Sequence, residues 1–385
     1  RIYDGLLYRH WSSWSNGTRR HLFVVPSTGG PVRDLIPGAN YDVPPREREG
    51  PHPIAFASDS RTICFVAITD LVEATSTNAD LFEIDMAAGG TPKRLTTNPG
   101  FDGAPAYSPD GRTIAYRSQA RAGYESDKWR LMLYDRPTDR QTVLTERFDR
   151  SVEKALWSND GLSLYFNAED HGKMPVYEIA VRGGLPQAVT PGSYDSDFDL
   201  AVNTLVVLRS RINAPPEIQQ VDLITGTTHA ITRHNDARLS TLDLAPAEIF
   251  TFPGASGVEV QGLLVRPPSF EAERKYPVIL LLHGGPQTQW DDGWSYRWNA
   301  QLFAATGSVV VLVNRRGSTG AGQKFTDEVT GDWGGKPVDD ILKGLDFVLA
   351  KYPFADGQRV AAAGGSYGGY LIDWLASQSK GRFKA

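Results

Sequence analysis

The sequence predicts β-propeller blades followed by a doubly wound, mostly parallel α/β sheet, with the change at residues 246–247. Three observations predict it. A strand–turn–strand unit recurs through the first 240 residues, strands alternate with helices after residue 247, and Gly364-x-Ser366-x-Gly368 sits between a strand and a helix.

The repeated unit occurs five times, at His21–Ile36, Leu81–Leu95, Leu131–Leu144, Val176–Val189 and Ile218–Ile231. Three copies turn on Gly-Gly, at Gly29-Gly30, Gly89-Gly90 and Gly183-Gly184. Between copies lies a Ser/Asp turn, at Ala57-Ser58-Asp59-Ser60, Tyr107-Ser108-Pro109-Asp110-Gly111 and Trp157-Ser158-Asn159-Asp160-Gly161. Its serines are 50 residues apart. Asp and Ser bind their own backbone there, and Gly takes positive φ. Four strands per ~40–50 residues, repeated, read as propeller blades. A sandwich has no reason to repeat at constant period. About five blades are visible over residues 1–246, and the propeller reads as incomplete at its N-terminal end.

Residues 247–385 have a different pattern. Val258–Arg266 reads as a strand closed by Pro267-Pro268, and Tyr276–His283 as an apolar strand of the buried parallel type. Trp298–Thr306 follows as a helix and Ser308–Asn314 as a second buried strand. Val338–Lys351 carries apolar residues at 338, 341, 342, 345, 348 and 349, a helical spacing framed by Pro337 and Pro353. Val360–Ala363 is a strand leading into the Gly-x-Ser-x-Gly turn, and Tyr370–Ser379 a helix leaving it.

Composition narrows the function classes. The net charge of −5 and the lack of Lys/Arg runs give no nucleic-acid signature. No apolar run approaches the ~20 residues of a membrane helix, so no membrane partner is expected. A single cysteine, Cys64, excludes an intrachain disulfide and reads as a buried, inert thiol in Ile63-Cys64-Phe65-Val66.

The chemistry lies in the turn at 364–368. A Gly-x-Ser-x-Gly turn between strand and helix is a nucleophile elbow, and marks the second domain as an α/β-hydrolase. Ser366 is then the candidate nucleophile. The backbone N–H of Tyr367 is one candidate oxyanion donor, at a helix N-terminus that favours negative charge. His283-Gly284-Gly285-Pro286 closes the first buried strand, where such folds supply the second donor, assigned here to the Gly285 N–H. No cofactor or metal is implied, because a serine nucleophile needs none. The partners of the nucleophile follow it in chain order, yet all seven histidines precede Ser366. His283 is therefore not the expected base. The acid and base are expected beyond Ala385, and the chain is expected to be a fragment truncated at both ends and inactive alone. Arg315–Gly320 is expected to be a structural loop rather than a phosphate loop, since no Gly-Lys-Ser/Thr follows. Asp195, Asp197 and Asp199 lack calcium-loop spacing.

These motifs together resemble the prolyl oligopeptidase family of serine peptidases, in its dipeptidyl-peptidase 5 and acylaminoacyl-peptidase branch. The residues that carry the resemblance are His283-Gly284-Gly285-Pro286, Asn314–Gly320, Gly331–Pro337 and Gly365–Tyr370, with Tyr8–Trp11, Tyr107–Gly111 and Gly123–Asp127 on the propeller side. The resemblance implies an oligopeptide substrate, an acyl-enzyme on Ser366 and a propeller that restricts access to short peptides. It implies dipeptide release most directly, with acylaminoacyl-peptidase or esterase activity, or a non-catalytic propeller binding protein, as the alternatives. A dipeptidyl peptidase also needs an anion for the substrate amine, and Glu125 and Asp127 beside Trp129 are the candidates. The resemblance allows a homodimer and favours a periplasmic or secreted location, with the cytoplasm as the alternative.

Overall fold

The computed structural model describes residues 2–46, 52–379 and 381–385. It comprises two compact units, one of residues 1–166 and 177–187, the other of 167–176 and 188–385.

Four four-stranded sheets follow one another in sequence, each with spatial order equal to chain order. They are Ile54–Phe56, Thr62–Ala67, Asp80–Asp85 and Lys93–Arg94; then Asp102–Tyr107, Thr113–Ser118, Arg130–Asp135 and Arg140–Val143. Next come Val152–Trp157, Ser163–Ala168, Val176–Ala180 and Gln187–Ala188; the last is Tyr194–Ala201, Thr204–Arg211, Ala214–Asp222 and Thr228–Ala230. Two short ribbons precede them, one pairing Phe23–Val24 with Arg33–Asp34. All five predicted repeats fall on pairs of neighbouring strands, the first on this ribbon and the others on the last two strands of each sheet. Strand Thr62–Ala67 is buried on both faces. Cys64 and Val66 pack with Ile114 and Tyr116 of the next sheet, while Ile63 and Phe65 pack with Leu22 and Leu35. Cys64 is fully buried, and burial pushes its thiol well above the usual range.

The Ser/Asp turns differ from the sequence register by one residue. Ser108 and Ser158 each close the turn from N–H to the oxygen of Thr113 and Ser163, at 2.8 and 2.9 Å. In the first copy Ala57 makes that bond, to Thr62, so Ser58 stands where Pro109 does. Asp59, Asp110 and Asp160 are the true equivalents, each accepting backbone N–H groups of the turn. Ser60 takes φ 57° where Gly111 and Gly161 take 70°.

The sheet type changes at Glu248. The second sheet system contains β1 (Glu248–Pro253), β2 (Glu259–Val265), β3 (Tyr276–Leu282), β4 (Val309–Asn314) and β5 (Ala355–Gly364), in spatial order β1-β2-β4-β3-β5. β3 runs parallel to both β4 and β5, β2 is antiparallel to β4, and β1 is antiparallel to β2. Four strands therefore share one direction. Both faces are buried, as the continuous apolar runs require. Val278, Leu280, Val309, Val311 and Val313 face a core with Ile341, Leu345 and Leu371. Leu281, Val310 and Leu312 face the other, with Ala300 and Ala304.

The α-helices that follow Glu248 are α1 (Ala300–Ala304), α2 (Gln323–Asp327), α3 (Lys336–Lys351) and α4 (Tyr367–Gln378). α1 is shorter than expected because Asn299 caps it, accepting the Gln301 N–H at 2.8 Å, and this leaves Trp298 outside. In α3 the spacing holds: Val338, Ile341, Leu345 and Val348 are buried. α4 begins three residues earlier than expected, since Gly368-Gly369 lower helix propensity without preventing the first turn.

Candidate active site

β5 ends at Gly364 and α4 starts at Tyr367, which leaves two residues to reverse the chain. Ser366 takes up the strain, with φ 56° and ψ −124°, and its side chain is exposed. A non-glycine residue in such a region costs about 1–3 kcal/mol and persists only where the surroundings impose it. Here they do. A Cβ on Gly364 would lie 2.6 Å from the Gly368 oxygen, and one on Gly368 would lie 2.1 Å from the Leu282 oxygen. Strand and helix approach so closely that only glycine fits at both flanks.

The loop after β3 lies against this turn. A Cβ on Gly284 would be 3.3 Å from Ser366 Cβ and 3.8 Å from its Oγ. Gly285 has φ 102°. Among the described residues, neither the Tyr367 nor the Gly285 N–H donates a hydrogen bond, whereas Gly368 N–H bonds Gly365 O and Tyr370 N–H bonds Ser366 O. Both candidate donors are therefore available to a ligand.

His283 is buried with its ring nitrogens engaged, Nε2 with Ser318 Oγ at 2.9 Å and Nδ1 with Gly284 O at 2.8 Å. Burial, and then the Arg315 charge, hold its pKa well below the ordinary value, so the ring is neutral. Arg315 and Arg316 are each 1% exposed. Arg316 pairs with Asp340 at 3.4 Å and Glu328 at 3.1 Å, and Asp340 also accepts the N–H groups of Ala255 and Arg316. The Arg315–Gly320 segment is thus tied to distant segments through Arg316, as a structural loop should be. Asp195 is clamped by Arg209 at 2.7 and 3.0 Å, while Asp197 and Asp199 each accept the N–H of the next residue.

Sequence reasoning gave no role to the Gly331–Pro337 segment beyond the resemblance. Asp332 accepts the N–H groups of Gly335 and Lys336 at the head of α3. Trp333 O accepts the Tyr367 hydroxyl at 2.7 Å, and the Trp333 ring meets those of Tyr367 and Tyr370 edge-on. Trp374 stacks on Tyr370, which completes an aromatic bank beside Ser366. A cavity of about 260 Å³ lies behind the turn, with Gly284, Trp290, Asp291, Trp298 and Gly365 in its wall. Burial pushes Asp291 up to about 6. Sequence reasoning gave Arg315 only a place in a structural loop, and it missed Asp340 and this aromatic bank, because their partners are remote in sequence.

Glu125 and Asp127 share one loop of the first unit. Asp127 is buried and accepts Ala120 N–H, Arg121 N–H and Arg121 Nε at 2.7, 3.0 and 2.6 Å. Glu125 is exposed, and its carbonyl accepts Gln119 Nε2 at 2.8 Å.

A strained serine between strand and helix, on a mostly parallel sheet covered on both faces, is the arrangement of α/β-hydrolases. Residues 294–385 match the model of the prolyl oligopeptidase family. The dipeptidyl-peptidase 5 of Porphyromonas gingivalis is 33% identical over 391 residues, covering all of this chain and 57% of that protein. The dipeptidyl-peptidase 5 of Schizosaccharomyces pombe is 30% identical over 400 residues, covering 99% of this chain and 57% of that protein. The acylaminoacyl peptidase structure from Pyrococcus horikoshii superposes with a TM-score of 0.73 at 25% identity, over 86% of this chain and 50% of its own. Residues 294–385 belong to the prolyl oligopeptidase family, and the whole chain is similar to the dipeptidyl-peptidase 5 proteins. It spans about 57% of the length of the curated relatives it matches.

Proposed function

We propose that Ser366 is the nucleophile of a serine peptidase that releases dipeptides from the N-termini of oligopeptides. The observation that carries this reading is the φ/ψ of Ser366, held strained between two glycines with an exposed side chain and two unbonded N–H groups nearby. Its relatives named dipeptidyl-peptidase 5 support the substrate class.

In this reading Ser366 Oγ attacks the scissile carbonyl as a base takes its proton. The carbonyl oxygen becomes an oxyanion and accepts the N–H groups of Tyr367 and Gly285. Collapse expels the amine of the departing peptide, protonated by the same base, and leaves an ester on Ser366. Water then cleaves that ester. No histidine follows Ser366 within these residues. The successive four-stranded sheets are read as propeller blades that admit short peptides. Glu125 and Asp127 are assigned to the loop that receives the substrate amine. Of the two, Glu125 is exposed, whereas the Asp127 carboxylate is buried and takes three donors.

The test is hydrolysis of chromogenic dipeptide substrates by the full gene product. Ser366→Ala should lower kcat by about 10³-fold or more with folding intact. Activity retained by that variant would overturn the assignment. Glu125→Gln should depress cleavage of free-amine dipeptides while sparing blocked acyl-amino-acid substrates. Equal loss on both would remove the amine anchor.

A further inference from the structure

We propose that Arg315 is a positioning residue for the oxyanion site, a cation that aims both donor peptides at the serine from within the protein. This rests on the reading of Ser366 as nucleophile.

Arg315 closes β4, directly behind the His283–Pro286 loop, and is 1% exposed. Among the described residues no carboxylate lies within ion-pair distance of it. Its donors go to backbone oxygens and to the His283 ring instead, Nη1 to Pro286 O at 3.0 Å and Nη2 to His283 O at 3.2 Å, Gly284 O at 3.3 Å and His283 Nδ1 at 3.2 Å. Three carbonyls of one four-residue loop thus converge on one guanidinium. The Gly284–Gly285 peptide is trans, so its C=O and N–H point in opposite directions. With the Gly284 oxygen turned inward to Arg315, the Gly285 N–H must face outward. The loop's outer side is the side that touches Ser366, with the Gly284 Cβ position 3.8 Å from Oγ.

The same guanidinium lies over the Tyr367 ring, 4.7 Å from its centroid. Tyr367 carries the other donor N–H, and its hydroxyl is fixed by Trp333 O at 2.7 Å. One side chain therefore touches the carbonyl of the Gly284–Gly285 peptide and the ring of Tyr367. Burial holds Arg315 down to about 10, so it stays charged at neutral pH. A buried cation without a carboxylate partner is expensive to keep. A positive charge in a low-dielectric site stabilises an oxyanion that exists only in the transition state, which rewards keeping it.

The experiment uses the full gene product with Arg315→Met, which removes charge and fork, and Arg315→Lys, which keeps the charge and loses the fork. For both, kcat should fall about 10- to 100-fold while KM stays within about threefold. Affinity for a peptidyl boronate, a mimic of the tetrahedral anion, should fall in the same ratio as kcat/KM, and affinity for a product dipeptide should not change. The rate at which a fluorophosphonate labels Ser366 should drop in parallel. If Arg315→Met does not fold, Arg315→Lys decides. A folded Arg315→Lys within twofold of wild type in kcat and labelling overturns the proposal, as does equal weakening of boronate and product dipeptide. A wild type that labels at Ser366 but cleaves no dipeptide removes the substrate assignment and leaves the labelling rates to judge Arg315. A wild type that neither cleaves nor labels overturns both.

Discussion

Gly368→Ala puts the smallest possible addition at the tightest point of the site. The new Cβ would sit 2.1 Å from the Leu282 oxygen, 2.9 Å from the Leu282 carbonyl carbon and 3.1 Å from the His283 oxygen. Ordinary contact begins near 3.4 Å, so strand and helix must separate by about 1.3 Å at this point. All three atoms are backbone, two in β3 and one in the loop after it, so no rotamer change relieves the clash. The start of α4 must move, and Ser366 and the Tyr367 N–H move with it, away from the Gly285 N–H. Overpacking of this kind costs about 1–3 kcal/mol. The helix-propensity gain of about 0.5–1 kcal/mol cannot cover it. A shift of about 1 Å in reacting groups costs on the order of 10²-fold in rate. Thermal unfolding and steady-state kinetics of the full gene product should therefore show a lower Tm and a kcat/KM reduced about 100-fold. Gly369→Ala is the control. Its nearest neighbour would be the Gly364 oxygen at 3.7 Å, an ordinary contact, so its Tm should hold or rise. Wild-type kinetics and stability in Gly368→Ala would refute the account of the turn.

Two further substitutions test the supports of the fold. Asp340→Ala should destabilise by about 3–5 kcal/mol in chemical denaturation, because it leaves the buried Arg316 short of a counter-charge and orphans the N–H groups of Ala255 and Arg316. A loss under 1 kcal/mol would show that Glu328 suffices alone. Asp102 is fully buried with Oδ2 unpartnered, and burial raises its pKa from 3.8 to about 6. Because the folded value lies above the unfolded one, its contribution is complete below pH 4 and is lost as pH rises through 6. Asp102→Asn should therefore gain on wild type by about 3 kcal/mol between pH 4 and pH 8. A difference in stability that does not change with pH would contradict the burial argument.

The propeller-like repeats were legible because their turns are local chemistry. Yet Ala57, not Ser58, occupies the position of Ser108, a one-residue shift that only the closing hydrogen bond reveals. β1 escaped notice because it is an edge strand with alternating exposure, Glu248 to Pro253, rather than a continuous apolar run. Asp340 reads as a polar helix position, and it is buried because Ala255 and Arg316 arrive from distant segments. The acidic pair Glu125 and Asp127 reads as one feature in sequence. In three dimensions one carboxylate is inside its loop and the other is exposed.

By itself the sequence determined the main strands and helices, the Gly-x-Ser-x-Gly turn and the two glycines that flank Ser366. Each depends on interactions within a few residues, namely alternation, helical spacing and freedom at φ. Tertiary structure decided which groups meet there. It set Gly284 against Ser366, tied the Gly284 oxygen to Arg315, and placed the Arg315 guanidinium over the Tyr367 ring. Those contacts join residues some 30 to 80 positions apart, and what fixes them is the closure of the sheet, which no local pattern encodes.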